Sequence, residues 1–371
     1  MSATMLNGVF EKNSRPRKLR LAQAPYTYAR ISVMKSKLLR KDDYNKLMKM
    51  KLNDILKFLQ ESDYRKEIDE MTVNYSGIEL VELALNKNLV KTFQKLKRIA
   101  EYEDLRLIME KYMEMADVWN IKTILRGKLI GEKEERIKDL MMPIGKFNER
   151  FFDELIKKDS IEDIIRSLKF LSKEQINDAM NMFRDTKSLF AIENMLDNNY
   201  YSNSAIFAES IPRQGANFME FIKGSIDITN IKTLLRLKKE NMDKEDIEGF
   251  LIMNGARIHK SMLSRLARAE SLDSLIAMLQ KIDTGYGRSF REIYDSYDRP
   301  KKDITRIELK LNKFLLDRAI LLLHMHPLSI DVILGYMFAK DIEIKNLRTI
   351  IKGRQLGLKD EFIESELVIS G

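Results

Sequence analysis

The stretch Asp117–Arg126, with the sequence DVWNIKTILR, decides how the chain is organised because it occurs three times. The other copies are DITNIKTLLR at Asp227–Arg236 and EIKNLRTIIK at Glu343–Lys352. All three contain an acid, two variable residues, Asn, Ile or Leu, a base, Thr, two aliphatic residues and a second base. We call this pattern the signature. Its asparagines recur at two nearly equal intervals of roughly 110 residues, which indicates three domain-sized units rather than the shorter repeats of a solenoid.

Two further elements recur in the same order before each signature. The first occupies Leu52–Leu59, Ile161–Leu168 and Leu272–Leu279, at a similar distance from its signature in every copy. The second has the pattern Glu-x-x-Leu-Asn/Asp and lies between the first element and the signature. Its glutamates, which precede the signature asparagine by almost the same interval each time, are Glu82, Glu193 and Glu308. Three ordered elements at near-constant spacing make an internal triplication the best explanation.

The unit boundaries follow from the repeats and from the turn signals between them. We predict a basic N-terminal tail over residues 1–25 and helical repeats over 26–143, 144–254 and 255–371, called units 1, 2 and 3. Pro143 with Gly145 marks the first junction, and Gly255 marks the second. Both glycines follow their signature asparagine at the same interval.

The composition favours an all-α fold. Gly (15) and Pro (6) are scarce among 371 residues, and 44% of the residues are hydrophobic, as suits long packed helices. Capping-box patterns at Ser76/Glu79 and Ser172/Gln175 predict helix starts, and Gly131 is a natural helix end. The longest apolar run, 332–339, is far too short to span a membrane.

The net charge of +9 is concentrated near the N-terminus. Residues 11–41 contain ten bases and one acid. Such an arm can bind nucleic acid, anionic lipid or an acidic protein surface. We favour a solvated tail that leads into a first helix at Pro25, because such arms often have no specific partner. Residues 11–20 contain no aromatic side chain, so base stacking there is unsupported.

The residues offer little for catalysis, a cofactor or a metal. There is no cysteine, and the three histidines are His259, His324 and His326. On a helix, His324 and His326 point in different directions and do not converge on one ion. The run 254–261 ends in Lys-Ser like a phosphate loop, but His259 replaces the glycine that precedes the Lys in that motif, and the preceding strand is missing. We therefore predict no catalytic residue, no cofactor and no metal site.

The signature residues fall on two helix faces. The aliphatic residues after each asparagine share one face, which we predict to be core. The bases two and six positions after the asparagine share another face, and we call them the first and second signature bases. The first are Lys122, Lys232 and Arg348, and the second are Arg126, Arg236 and Lys352. Either the bases form a ring that grips an acidic partner, or each pairs within its own unit.

We favour pairing within each unit because the repeated glutamates have apolar sequence neighbours and an unpaired buried carboxylate is costly. The specific hypothesis joins Glu82 to Arg126, Glu193 to Arg236, and Glu308 to Lys352. The signature asparagines, Asn120, Asn230 and Asn346, are expected to cap or bridge helices rather than to bind a ligand.

The assembled motifs resemble the C subunit of the archaeal-type (A-type) ATP synthase, which belongs to one family with the d subunit of the vacuolar ATPase. The resemblance begins at the run Tyr26-x-Tyr-Ala-Arg-Ile31 followed by Met34-Lys-Ser-x-Leu-Leu39. It continues through Leu196-Asp-x-x-Tyr-Tyr201 and the signatures, and it covers about residues 26–358 in the family's order. The segment before Tyr26 is longer than the family leads us to expect, and no family role transfers to it.

The resemblance implies a non-catalytic, all-helical subunit with three similar domains around a pseudo-threefold axis, shaped as a funnel. It implies a place in the central stalk, with the proteolipid ring of the membrane sector at one end and the central shaft at the other. The subunit would transmit torque for ATP synthesis coupled to proton or sodium transport, as a peripheral protein at the cytoplasmic face of the membrane. No nucleic acid is expected as a partner. The alternative is a helical scaffold or nucleic-acid-binding protein that uses the basic arm, and a third possibility is an enzyme with an unrecognised site.

Overall fold

The computed structural model describes residues 18–212, 215–242, 244–253, 255–325 and 328–369. Within these ranges the protein is built of nineteen α-helices and one short 3₁₀ helix, without a β-strand. Two residues, Asp298 and Asp303, form an isolated antiparallel bridge. The all-α prediction is confirmed. None of the helices in the described ranges has the length and apolarity to cross a bilayer.

The helices of each unit follow one order, in which short helices precede two long ones and a short helix ends the series. In unit 1 they are α1 (Pro25–Lys35), α2 (Lys41–Leu47), α3 (Leu52–Gln60), α4 (Arg65–Met71), α5 (Gly77–Ile99), α6 (Glu103–Ile130) and α7 (Glu134–Asp139). In unit 2 they are α8 (Glu149–Ile156), α9 (Ile161–Ser167), α10 (Lys173–Thr186), α11 (Phe190–Ala208), α12 (Ala216–Lys239) and α13 (Lys244–Gly249).

Unit 3 contains α14 (Lys260–Ala267), α15 (Leu272–Lys281), α16 (Arg288–Glu292), the 3₁₀ helix Ile293–Ser296, α17 (Thr305–Met325), α18 (Ile330–Gln355) and α19 (Asp360–Ser365). The short α16 and the 3₁₀ helix stand where units 1 and 2 have a single helix before the long pair. The recurrent glutamate lies on the first long helix of every unit, and the signature lies on the second.

Local sequence explains some of the helix ends. Ser172 and Gln175 form the predicted capping box at α10, and α6 ends at Gly131 with φ of 71°, a left-handed conformation that glycine adopts at little cost. The helix start predicted at Ser76 is confirmed, since α5 begins at Gly77, but the capping box itself is wrong because the Ser76 side chain accepts no hydrogen bond from the first turn. Residues 103–130 form one continuous helix of 28 residues, α6.

One hydrophobic core runs through all three units. The aliphatic face of every signature is buried in it, as predicted, with Ile124, Leu234 and Ile350 each at 0% exposure. The six long helices contact one another in a closed order: α5, α6, α11, α12, α17, α18 and again α5. The helices of the last unit therefore return to those of the first.

The described part of the predicted tail, residues 18–24, lies against the body of the protein. The backbone N–H of Leu19 donates to the Ser210 carbonyl at 2.9 Å, and that of Arg20 donates to the Asp104 carboxylate at 2.7 Å. Leu19 is buried. The expectation of a solvated tail up to the first helix is wrong for these residues, because a buried leucine and backbone hydrogen bonds hold them. Residues 1–17 lie outside the described ranges.

Candidate functional site

The second signature bases form three ion pairs that link neighbouring units. The Arg126 guanidinium holds Glu193 with two hydrogen bonds of 2.6 and 2.7 Å, and Arg236 holds Glu308 in the same way at 2.6 and 2.9 Å. Lys352 closes the circle with Glu82, at 2.9 Å between Nζ and Oε1. Each unit thus gives its base to the next unit and its glutamate to the previous one.

The predicted pairing within units is therefore wrong, although the same acids and bases pair. In the hairpin of a unit, the aliphatic face of the signature helix is buried in the core, and the face with the bases is turned to the first long helix of the next unit. We call the three contacts seams: the first joins units 1 and 2, the second units 2 and 3, and the third units 3 and 1.

The first signature bases repeat this cyclic arrangement. Lys122 bonds to Asp197 across the first seam at 2.6 Å. Lys232 bonds to Asn312 across the second seam, and Arg348 bonds to Asn86 across the third. These partners are the last residues of the Glu-x-x-Leu-Asn/Asp elements, namely Asn86, Asp197 and Asn312. The sequence analysis predicted a role for the glutamates of these elements but none for their last residues. Burial, and then the neighbouring Lys345 charge, lower the pKa of Lys232 to about 7.

The signature asparagines bridge two segments of one unit, as expected. The side chain of Asn120 donates to the Met142 carbonyl and accepts from the Met142 N–H, both at 2.8 Å. Asn230 does the same with Ile252, and Asn346 with Val368. The partner lies at the same distance along the chain in every unit. The asparagines therefore fix the segment that leaves the signature helix.

The acid at the start of each signature binds the backbone where the next unit begins. The Lys146 N–H donates to Asp117 at 2.7 Å, and the Arg257 N–H donates to Asp227 at 2.8 Å. Glu343 accepts the N–H of Leu39, which belongs to unit 1. Asp117 and Asp227 thus bind chain segments that follow them in sequence, whereas Glu343 binds a segment from the other end of the chain.

The third seam contains a buried ionic cluster. The Glu343 carboxylate accepts a hydrogen bond from the Tyr64 hydroxyl and pairs with Lys340 at 2.8 Å. Lys340 also donates to the Tyr64 oxygen at 2.9 Å. Burial, and then the neighbouring Glu343 charge, raise the pKa of Tyr64 well above its ordinary value, so the hydroxyl stays a donor. The sequence does not reveal this cluster, because Lys340 and Tyr64 lie outside the repeated elements.

The arrangement binds units together and offers no chemistry. The ion pairs of the second signature bases are half exposed on the basic side, at 57–59%, so each contributes at most about 1 kcal/mol. We infer that they fix the register between units more than they add stability. Among the described residues there is no cluster of His, Asp and Glu suited to a metal ion; the side chains of His324 and His326 lie outside them.

Comparison with known proteins places this architecture in a family. A family model described as the ATP synthase (C/AC39) subunit matches residues 27–366. The chain belongs to this family. The C/AC39 subunit is a non-catalytic stalk subunit of the ATP synthase, not an enzyme, and the resemblance drawn from the sequence is confirmed.

Individual members of the C/AC39 family are similar over nearly their whole length. The chain is 34% identical to the C subunit of the A-type ATP synthase of Methanosarcina acetivorans, over 93% of this chain and 92% of that protein. It is 33% identical to the corresponding protein of Archaeoglobus fulgidus, over 93% and 96%. The C subunit of Haloferax volcanii is 29% identical, over 93% and 97%.

Gly145 and Gly255 are needed in this C/AC39 subunit because the signature acids approach them closely. A Cβ atom on Gly145 would lie 2.4 Å from the carboxyl atoms of Asp117. We predict that Gly145→Ala lowers the free energy of unfolding by about 1–3 kcal/mol through this overlap, as measured by chemical denaturation. Gly249→Ala is the matched control, because among the described residues, apart from its own helix backbone and chain neighbours, no atom lies within 4 Å of its added Cβ. Equal effects of the two changes would contradict the prediction.

The buried Asp117 makes the stability of the subunit depend on pH. Burial raises the pKa of this carboxyl to about 7 despite its bonds to backbone N–H groups, whereas an aspartate of an unfolded chain titrates at about 3.9. The folded state binds the proton more tightly, so its stability falls as pH rises from about 4 to about 7. We predict that Asp117→Asn removes about 3 kcal/mol of this decline.

The measurement compares unfolding free energies at about pH 4.5 and about pH 8 for the parent and the variant. Asp159→Asn, at an exposed carboxylate, is the control and should leave the pH dependence unchanged. A variant that declines as steeply as the parent would show that Asp117 is not the titrating group.

Proposed function

We propose that the subunit links the central shaft of a rotary ATP synthase to the proteolipid ring of its membrane sector and transmits torque between them. Membership of the C/AC39 family is the observation that carries this proposal. The subunit would act as a peripheral protein at the cytoplasmic face of the membrane, for ATP synthesis coupled to proton or sodium transport.

The closed order of long helices supports this role. A part that transmits torque must resist deformation between its two contacts, and tightly packed helices provide low compressibility. The cyclic contacts of the signature bases hold all three units in one register, so force on one unit reaches the other two. We infer that the pairs evolved to keep the assembly closed rather than to grip a partner directly.

The similarity of the three units supports the expected pseudo-threefold funnel. Helices of the same kind meet at every seam, and each seam is linked by the same two classes of side-chain contact. Three like units in a closed order generate a central axis along which a shaft would dock. The unit boundaries at 143/144 and 254/255 belong to this proposal.

The test is co-purification from cells that express the whole complex. With an affinity tag on this subunit, we expect both the proteolipid ring and the shaft subunits to elute with it. In membranes that lack the subunit, ATP hydrolysis should no longer drive ion transport, and the parent protein should restore coupling. Elution without either the ring or the shaft would overturn the proposal.

The alternative of nucleic-acid binding depends on the basic arm. The described arm residues 18–24 lie against the protein body, and Leu19 and Ala24 are buried. A nucleic-acid binder would lose affinity steeply as salt rises. We expect the isolated subunit to show no such salt-dependent binding to single- or double-stranded nucleic acid.

A further inference from the structure

The third seam borders a cavity of about 570 Å³. It lies between the chain segment that joins α1 to α2, the helices α17 and α18, and the C-terminal residues 368–369. Its volume is in the range of small-molecule sites. Beside Asp117, the corresponding acid of the first seam, the cavity is only about 40 Å³.

The wall of this cavity is mainly aliphatic. Leu39, Leu316, Ile342 and Val368 all line it. Leu316, Ile342 and Val368 form a small hydrophobic cluster that is separate from the main core. In unit 2 the related cluster contains Ala205, Ile226 and Ile252, and the ring of Tyr201 packs against it. At the position in unit 3 that corresponds to Tyr201, the repeat has Leu316. In unit 3, Leu309, Ile320 and Phe338 pack against the cluster, and its three members also line the open volume of the cavity.

The buried polar groups of the cavity already have partners. Glu343 pairs with Lys340 and accepts from Tyr64 and Leu39. Asn346 is bonded to both backbone groups of Val368. A peptide segment inside the cavity would bury N–H and C=O groups that these partners cannot satisfy, whereas a hydrocarbon chain has no such groups.

The exposed edge of the cavity is basic. Arg40 and Lys41 are exposed residues of the lining, and Lys35 is a third base there. The negative charge of Glu343, which also borders the cavity, is balanced by its ion pair with Lys340. An anionic head group at this edge would meet complementary charge, while its apolar chain would cover the aliphatic wall.

We propose that this cavity binds an anionic amphiphile with a single hydrocarbon chain, with the chain inside and the head group at Arg40 and Lys41. The ligand would fill the seam that has no peptide linkage and so join the first and last units. This site is independent of the proposed coupling role, since it concerns the isolated subunit.

The probe is dansyl-undecanoic acid, whose fluorescence rises in an apolar environment, titrated into the full-length subunit below the micellar concentration. We expect saturable binding of one molecule, displaced by palmitate and at least tenfold less effectively by the uncharged hexadecanol. Absence of saturable binding would overturn the proposal, and so would equal displacement by the two competitors.

Two sets of variants locate the probe. Leu316→Phe and, separately, Ala339→Leu reduce the free volume, and we expect either to weaken binding at least tenfold. Arg40→Gln with Lys41→Gln should weaken binding of the acid about tenfold. Lys49→Gln with Lys51→Gln removes the same charge from exposed residues outside the cavity and should leave affinity unchanged.

Thermal melting of each variant checks that it is folded. Should Leu316→Phe fail to fold, the smaller Ala339→Leu and the charge variants still decide the result. Unchanged affinity in the folded cavity variants would place the probe elsewhere and overturn the proposal. Equal losses in the two charge variants would show a non-specific attraction and would also overturn it.

Discussion

Replacing Lys340 with methionine should lower the free energy of unfolding by about 3–5 kcal/mol, the largest effect that we expect from a single side chain. Lys340 is 2% exposed and is the cation paired with the equally buried Glu343. Its loss leaves a carboxylate inside the third seam with only hydrogen bonds from Tyr64 and Leu39. Chemical denaturation of the full-length subunit measures the change.

Lys352→Met is the matched control for this prediction. It removes a lysine from an ion pair at the same seam, but Lys352 is 59% exposed, so the cost should stay within about 1 kcal/mol. The double change Lys340→Met with Glu343→Gln should be less destabilising than Lys340→Met alone, because it removes the uncompensated charge. If Lys340→Met and Lys352→Met cost the same, the buried cluster does not stabilise the seam as described.

Asn230→Ala should lower the free energy of unfolding by about 2–5 kcal/mol. The change removes the hydrogen-bond partner of both the N–H and the C=O of Ile252. In the parent protein these two bonds to Asn230 measure 2.8 and 2.7 Å. Asn230 is fully buried, so water cannot easily replace the amide, and each unsatisfied backbone group costs about 1–3 kcal/mol. The measurement is again chemical denaturation.

Asn53→Ala provides the comparison, because Asn53 is exposed on α3 and such surface changes usually stay within about 0.5 kcal/mol. Asn230→Asp separates the two bonds, since a carboxylate can accept from the Ile252 N–H but cannot donate to its carbonyl. It should be destabilising as well. A cost for Asn230→Ala no greater than for Asn53→Ala would refute the bridging role.

The threefold repeat could be predicted from the sequence because helical periodicity determines which side chains share a face. The burial of Ile124, Leu234 and Ile350 follows from their spacing alone. The bridging role of the asparagines was also predictable, since a polar residue beside a buried face must find a partner. Their actual partners, in the segment that follows each signature helix, have no recognisable sequence pattern.

The partners of the signature bases could not be predicted in the same way. Periodicity places Arg126 and Arg236 on the face opposite the core, but it does not say which neighbouring helix covers that face. We assumed the nearest helix in the chain, whereas the closed order of units brings the next unit's glutamate to each base. The closure itself depends on the contact of α18 with α5, between segments at opposite ends of the chain.

In the proposed coupling role, the contact of α18 with α5 would determine how the subunit responds to twisting. A thin-walled tube that is slit along its length twists easily, because its two edges slide past each other. When the edges are joined, shear stress circulates around the whole wall and the tube becomes much stiffer. The third seam is where such a slit would open, since the backbone connects the units at the other two seams but not here. In the proposed funnel, the buried cluster of Lys340, Glu343 and Tyr64 would join the two edges of the wall at this seam.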